Sequence, residues 1–424
     1  MKIALFTKEY PPNIYGGAGV HVEYLSRALA KRLQVQVRAF GTDAPVPGNP
    51  SVRFYPEWPE AHVDTDPRFA GATDAFERSL RMAKDRLDAD LVHCHTWYTD
   101  MAGILAAQLW AIPSVLTIHS LEPLRPWKVE QLGRAYHLSA WMERTAIEQA
   151  SAVIAVSRET RDDVLRLFDI PPDRVHVIHN GIDLDEYRPS PHADVLARHD
   201  IDPNRPYVLF VGRITRQKGI LHLLDAIPLL DPALQIVLCA GAPDTKEIGQ
   251  EMATKVATLQ STRPGVIWIS EMLPRPDLIQ LYTHAAVFCC PSVYEPFGII
   301  NLEAMACYTP VVASSVGGIK EVVVPEETGL LVDPDLLPDG FEPRDPAAFA
   351  ARLADAINRL GEDAGLRARF AEAGRRRVEQ HFSWDAIAAR TEALYREVID
   401  NHVSRSGLSH LAPGTLSRWR ERAG

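Results

Sequence analysis

The sequence predicts an α/β protein of two doubly wound domains, each a parallel sheet covered by helices. Short β-branched runs alternate with longer helical patterns, the rhythm of repeated βαβ units. That rhythm runs from Lys2 to Asp183, breaks at a turn and a proline-containing stretch, and starts again at Tyr207. At 424 residues, 46% apolar and 24% charged, the chain has material for two cores rather than one.

In the first half, strands are expected at Ile3–Thr7, Val35–Phe40, Val52–Tyr55, Leu91–Thr96, Ser114–His119, Ala152–Ser157 and Val175–Ile178. Between the first two, Val22, Leu25, Leu29 and Leu33 recur at helical spacing and give one core-facing stripe. His179-Asn-Gly-Ile-Asp183 is a turn signal and Tyr187-Arg-Pro-Ser-Pro191 reads as linker, so the boundary falls near 185–205 and an N-terminal domain covers 1–190. A second series follows at Tyr207–Val211, Gln235–Ala240, Val266–Ile269, Val287–Pro291, Val311–Ser314 and Leu330–Val332, giving a C-terminal domain over 205–380. Open parallel sheets bind ligands beyond the carboxyl ends of their strands, so a cleft between two such domains is the expected site. After Arg344 the pattern turns helical and rich in Arg and Ala. Phe382-Ser-Trp384 starts a last helix, expected over 383–400 and crossing back to the first domain, and 401–424 reads as a mobile tail unless its Trp419 docks.

The formal net charge is −10, with pI near 5.8 and the acidic residues dispersed, which argues against nucleic acid or an anionic membrane as principal partner. An anionic ligand would then need local positive charge. Lys is scarce beside Arg, so Lys8, Lys128 and Lys218 stand out. Five cysteines (Cys94, Cys239, Cys289, Cys290 and Cys307) lie mostly in apolar runs without CxxC spacing, which reads as reduced, buried thiols in a cytoplasmic protein. The first strand meets Lys8 and Glu9 too soon for a signal peptide, and no run approaches membrane-spanning length.

Pro291-Ser-Val-Tyr-Glu295-Pro-Phe-Gly-Ile-Ile-Asn-Leu-Glu303-Ala-Met-Ala306 carries the most information. It sets Glu295 in a strand-to-helix loop and Glu303 inside the following helix. Pro296 biases Glu295 away from helical angles, Gly298 permits close approach of a ligand, and free amides at the helix start would face a diphosphate. An ordinary helix start with one exposed Glu is the plainer alternative. Against it stands Gly212-Arg213-Ile-Thr-Arg-Gln-Lys218-Gly219, which follows a strand and raises two cations five positions apart above the sheet edge. Such a pair neutralises charge on a departing diphosphate without metal. Lys8-Glu-Tyr-Pro-Pro-Asn-Ile-Tyr-Gly16-Gly17-Ala-Gly19 adds a second glycine loop before a helix. It lacks the GxGxxG spacing of dinucleotide enzymes, which makes hydride transfer the lesser reading.

His119 ends a strand on the same edge. His93 and His95 share one strand face, but no third metal ligand is evident in the sequence, so packing or sugar stacking is the expectation for them. Asp-x-Asp triplets at Asp64/Asp66, Asp88/Asp90, Asp183/Asp185, Asp200/Asp202 and Asp333/Asp335 suggest a metal-dependent transferase. They are common by chance in an Asp-rich chain, and the cation pair makes a metal redundant. Gly317-Gly318 either closes over a ligand or forms a plain turn.

The spacing of Glu295 and Glu303 resembles the Glu-x7-Glu signature of retaining glycosyltransferases with the two-domain GT-B fold. That resemblance implies that Glu303 binds the nucleotide ribose and that Glu295 and His119 face the donor sugar. It also implies that Arg213 and Lys218 clamp the diphosphate, with Gly16, Gly17, Gly298, Ile299, Leu302 and Met272 contributing to the donor site. Lys8-Glu-Tyr-Pro-Pro, Tyr15-Gly-Gly-Ala-Gly-Val-His21 and His119-Ser-Leu-Glu-Pro-Leu-Arg-Pro-Trp-Lys128 are similar to the short actinobacterial glycogen synthases, a group that includes α-maltose-1-phosphate synthases. The group's donor is ADP-glucose. The Lys-Thr-Gly-Gly-Leu loop of the longer glycogen and starch synthases is replaced here by Tyr15-Gly16-Gly17-Ala18-Gly19, which favours glucose 1-phosphate over a long glucan.

The expected activity is therefore retaining α-1,4-glucosyl transfer from ADP-glucose to glucose 1-phosphate or an α-glucan end, with no cofactor or metal, and a homodimer is compatible with it. Lys8, Arg125 and Lys128 are candidate acceptor-phosphate ligands, unless the last two only cap or solvate the next helix. A GDP-mannose mannosyltransferase and a non-catalytic sugar-binding regulator are the rival expectations.

Overall fold

Thirteen strands, all paired in parallel, form two sheets in the computed structural model, which describes residues 1–57, 66–125, 127–337 and 342–405. The chain divides into two units. The first holds residues 1–156, 161–178 and the chain from Asp385 onward, and the second holds 157–160 and 179–384.

In the first unit, β1 (Lys2–Thr7), β2 (Gln34–Phe40), β3 (Ser51–Tyr55), β4 (Leu91–His95), β5 (Ser114–Ile118), β6 (Ala152–Ala155) and β7 (Val175–Val177) lie in the order β3-β2-β1-β4-β5-β6-β7. The connections include α1 (Gly17–Ala30), α2 (Ala70–Lys84), α3 (Trp97–Trp110), α4 (Trp127–Leu132), α5 (Ala135–Gln149) and α6 (Arg158–Leu167). The strands are buried on both faces, as parallel sheets require. Val22, Leu25 and Leu29 form the buried stripe of α1, whereas Leu33, also buried, lies beyond the end of that helix. Arg38 is wholly buried on β2. It donates to the carbonyls of Met82, Asp85 and Arg86, and so satisfies the C-terminal carbonyls of α2.

In the second unit, β8 (Tyr207–Arg213), β9 (Gln235–Gly241), β10 (Val266–Ile269), β11 (Val287–Cys290), β12 (Val311–Ser314) and β13 (Gly329–Val332) lie in the order β10-β9-β8-β11-β12-β13. Helices α7 (Asp194–Arg198), α8 (Ile220–Ala226), α9 (Lys246–Thr262), α10 (Arg275–His284), α11 (Ile299–Ala306), α12 (Ile319–Val322), α13 (Pro346–Glu362) and α14 (Ala364–His381) complete it. Side-chain caps set several starts: Thr245 accepts from Ile248 N, Asp345 from Ala348 N and Asp363 from Leu366 N. Phe349, Leu353, Ile357 and Leu360 of α13 are all 0% exposed, one helical stripe in which each side chain contributes about 1.5–3 kcal/mol by burial.

Three expectations change. Strand β8 runs on through Gly212 and Arg213, which pair with Ala240 and Gly241, so Arg213 belongs to the strand and not to the loop beyond it. Strand β4 stops at His95, because Thr96 turns out of it at φ 71°. The last helix, α15 (Trp384–Arg405), continues past Asn401, where a tail was expected. Its Ile387, Thr391, Leu394, Tyr395 and Val398 supply a buried stripe, Glu392 pairs with Arg32 at 2.5 Å and Arg396 at 2.6 Å, and in the added turn His402 Nε2 lies 3.2 Å from Ala111 O. Trp419 and the rest of the expected tail, 406–424, lie outside the described residues, as does Asp64. Among the described residues, no helix is long and apolar enough to cross a membrane.

Candidate active site

Each sheet reverses its winding once, between β1 and β4 in the first unit and between β8 and β11 in the second. At such a point the loops leaving neighbouring strands diverge and open a crevice beyond the strand ends. In the second unit, those loops are the one carrying Lys218, after β8, and the one carrying Glu295, after β11.

Lys218 Nζ and Glu295 Oε2 are 2.6 Å apart, with both side chains mostly buried. Burial alone would lower the Lys218 pKa, but the Glu295 carboxylate outweighs it and the net direction is upward. Ser292 Oγ donates to the same Glu295 oxygen at 3.3 Å. The two loops are also joined through the backbone, Val293 N donating to Gln217 O at 3.0 Å. Arg213 Nη1 meets Asp244 Oδ1 at 2.8 Å. Both expected phosphate cations thus rest on carboxylates, and Asp244, silent in the sequence, is one of them.

Helix α11 starts at Ile299 behind Gly298, whose φ of 94° is the left-handed conformation that suits glycine. Glu303 lies within that helix, buried. Tyr187 Oη donates to its Oε1 at 3.0 Å and Tyr282 Oη to its Oε2 at 2.9 Å. Burial raises the Glu303 pKa, partly offset by the two hydroxyls. Leu302 is 0% exposed, its side chain packed in the core. Met272 lies beyond β10 and is 71% exposed.

In the first unit, Glu9 Oε2 accepts from Tyr15 N at 2.8 Å and from Gly16 N at 2.7 Å. A carboxylate therefore already engages the amide of Gly16, one of the two glycines expected to meet the donor. Gly17 begins α1 and is exposed. A Cβ on Gly19 would run into the Glu9 side chain, which explains the glycine there. Lys8 Nζ sits 3.8 Å above the Tyr98 ring.

His119 follows β5 and is half-buried. It joins His95, whose Nδ1 is 3.2 Å from His119 Nε2, and His21 of α1, whose ring centroid is 4.7 Å from that of His119. Burial holds the pKa values of His95 and His119 well below the usual imidazole range, and the neighbouring histidines add to this. The third partner sought for the His93/His95 pair thus exists, but it groups with His95. His93 turns to Tyr395 Oη at 2.6 Å and Thr117 Oγ1 at 2.7 Å, a packing role. His21 comes from a distant helix, and no local spacing signals it.

Arg125 Nη1 lies 3.3 Å from Glu122 Oε1, and Ser139 Oγ donates to the other oxygen of that buried carboxylate at 3.1 Å. Arg125 is therefore tied to a carboxylate of its own unit, and its carbonyl receives Lys128 N at 2.9 Å at the start of α4. Several Asp-x-Asp residues serve local turns, Asp183 and Asp333 each accepting the amide two residues on and Asp202 accepting from Asn204 N, whereas Asp88 and Asp90 both hold Lys2. A Cβ on Gly317 would strike the Glu295 carbonyl, so this glycine is required where two loops meet.

Comparison with known proteins agrees with this architecture. Residues 15–186 match the family described as Glycosyltransferase Family 4 and residues 194–377 that described as Glycosyl transferases group 1. An alpha-maltose-1-phosphate synthase of Mycolicibacterium smegmatis is 49% identical over 94% of this chain and 100% of its own. One from Mycobacterium tuberculosis is 48% identical over the same shares. Among solved structures, a sucrose-phosphate synthase from Thermosynechococcus elongatus superposes with a TM-score of 0.75 at 27% identity, over 94% of this chain and 99% of that one. The chain belongs to the group 1 glycosyltransferases of GT-B fold. Within them, its similarity to alpha-maltose-1-phosphate synthases spans their entire length.

Proposed function

We propose that the protein is a retaining α-1,4-glucosyltransferase that moves glucose from ADP-glucose to glucose 1-phosphate, giving α-maltose 1-phosphate, with an α-glucan end as the second acceptor. The observation that carries this is the contact of Lys218 with Glu295 beside Arg213 at the reversal point of the second sheet.

When the donor binds, Lys218 and Arg213 exchange Glu295 and Asp244 for diphosphate oxygens. Glu295 is then free to take hydroxyls of the hexose, and His119 is the second side chain assigned to it. The bond from the anomeric carbon to the diphosphate breaks, and the two cations stabilise the charge left on oxygen. O4 of the acceptor attacks on the same face and its proton passes to the departing diphosphate. No protein nucleophile and no metal is needed. Glu303 holds the ribose, Gly16, Gly17, Gly298 and Ile299 border the donor, and Met272 borders the base. Lys8, Arg125 and Lys128 are the candidates for the acceptor phosphate, Arg125 by leaving Glu122 as the donor-site cations leave their carboxylates.

The Tyr15-Gly16-Gly17-Ala18-Gly19 loop and the similarity to the two alpha-maltose-1-phosphate synthases support the small acceptor. Five cysteines, all buried and unbridged, suit a reducing cytoplasm. The test is incubation of purified protein with ADP-glucose, UDP-glucose or GDP-mannose against glucose 1-phosphate and glycogen, followed by product mass. A disaccharide phosphate from ADP-glucose is expected. Mannosyl products, or donor binding without transfer to any acceptor, would replace this reading with one of its rivals.

A further inference from the structure

Three imidazoles from three separate elements meet in the first unit. His21 comes from α1, His95 ends β4 and His119 follows β5, and one ligand atom from each lies within 4.8 Å of the other two. Among the described residues, this is the one group of three His, Cys, Asp or Glu so arranged. The 3.2 Å between His95 Nδ1 and His119 Nε2 is close to the edge, about 3.3 Å, of a tetrahedron with zinc–nitrogen bonds of about 2.0–2.1 Å. The ring centroid of His21 stands 4.7 Å from that of His119 and 5.3 Å from that of His95, comparable with the 5.5 Å between those two.

His21 and His95 are 3% and 0% exposed, so two of the three donors are held in place by packing. His95 turns Nδ1, not its unpartnered Nε2, toward His119, and the hydrogen bond between those two imidazoles is the one a cation would replace. His93 is excluded as a ligand because Tyr395 and Thr117 occupy both its nitrogens, yet its ring lies 4.2 Å from that of His95 and fixes that ring from behind. Three imidazoles leave one position of a tetrahedral cation to a non-protein ligand.

We propose that His21, His95 and His119 form a binding site for a borderline divalent cation, zinc foremost, and that its occupation blocks glucosyl transfer. All-imidazole donors favour zinc or copper over magnesium or calcium, which prefer oxygen. Binding consumes the nitrogen that His119 would present to the hexose. The site stands on its own geometry, and only the inhibition rests on the role proposed for His119.

The experiment uses the full chain, stripped with a chelator, then dialysed against zinc chloride, with cobalt chloride as a spectroscopic probe. One zinc per chain and the intense visible absorption of tetrahedral cobalt are expected. Binding should weaken on the order of tenfold or more in both His21→Phe and His21→Asn, checked for folding by circular dichroism. Zinc should also suppress transfer by the parent chain, with activity restored by chelator. No stoichiometric binding, or binding unaltered in both variants, overturns the site and leaves the transferase proposal intact. Binding with undiminished transfer overturns the inhibition and, with it, the placement of His119 at the sugar.

Discussion

Glu303 shows what single side chains contribute. A carboxylate in an apolar helix is costly unless both oxygens are bonded, and Tyr187 and Tyr282 supply one hydroxyl each. Removing either hydroxyl keeps the ring and its packing but frees the carboxylate to turn. Tyr187→Phe and Tyr282→Phe are each expected to raise KM for the donor about tenfold while changing kcat less, a hydrogen bond to a charged group contributing about 1.5–3 kcal/mol. Initial rates against donor concentration check this, and an unchanged KM would remove the positioning role. Asp100 of α3 gives the opposite case. It is 1% exposed, its Oδ1 has no partner, and burial pushes its pKa well above the usual carboxylate range. Because the folded value lies above the unfolded one, the stabilisation from holding the proton is complete below the ordinary carboxylate range and is lost as pH rises through the folded value. Asp100→Asn should therefore melt higher than the parent at pH 8 and lose that advantage on acidification, as calorimetry across pH would show. Glu295, Glu303, Arg213 and Lys218 stand out in the sequence by type and spacing, and the fold brings Lys218 to Glu295. Their carboxylate and tyrosine partners do not stand out, since Asp244, Tyr187 and Tyr282 have no distinctive local pattern and are recruited by the fold.

Among elements, the loops of the second sheet matter most. Gly219 and Gly317 have positive φ, and a Cβ on either would collide with the backbone of the Glu295 loop, at the carbonyls of Pro291 and Glu295 respectively. Three loops therefore stack backbone on backbone with the Glu295 loop in the middle. Gly317→Ala should displace that loop, with kcat falling by roughly two orders of magnitude, as ångström-scale misplacement of reacting groups implies. The fold should survive, as hydrogen exchange of the β8, β9 and β12 amides would show; full activity would mean that the loop tolerates the shift. Strand positions came through well from the sequence, because β-branched runs buried on both faces leave few alternatives. Their ends shifted where pairing or backbone strain intervened, as with Arg213 on β8 and Thr96 beyond β4.

Over the whole molecule, two sheets with the same winding were legible from the doubled alternation of strands and helices. The histidine group was not, because it joins α1 to the ends of β4 and β5 through topology alone. The chain returns to the first unit at Asp385, where Tyr395 bonds His93 and Glu392 pairs with Arg32. Ending the chain after Ser383 should expose the buried stripe of α15's partners and render the first unit protease-sensitive while the β8–β13 sheet stays protected, which limited proteolysis with mass mapping would reveal.

The central claim is that Arg213 and Lys218 carry the charge of the departing diphosphate. Single-turnover transfer from ADP-glucose to glucose 1-phosphate, measured for the parent and for the double variant Arg213→Gln, Lys218→Gln, tests it most directly. A rate lower by at least about a thousandfold, in a chain that still folds, is the expected result. A rate within about twofold of the parent would contradict it.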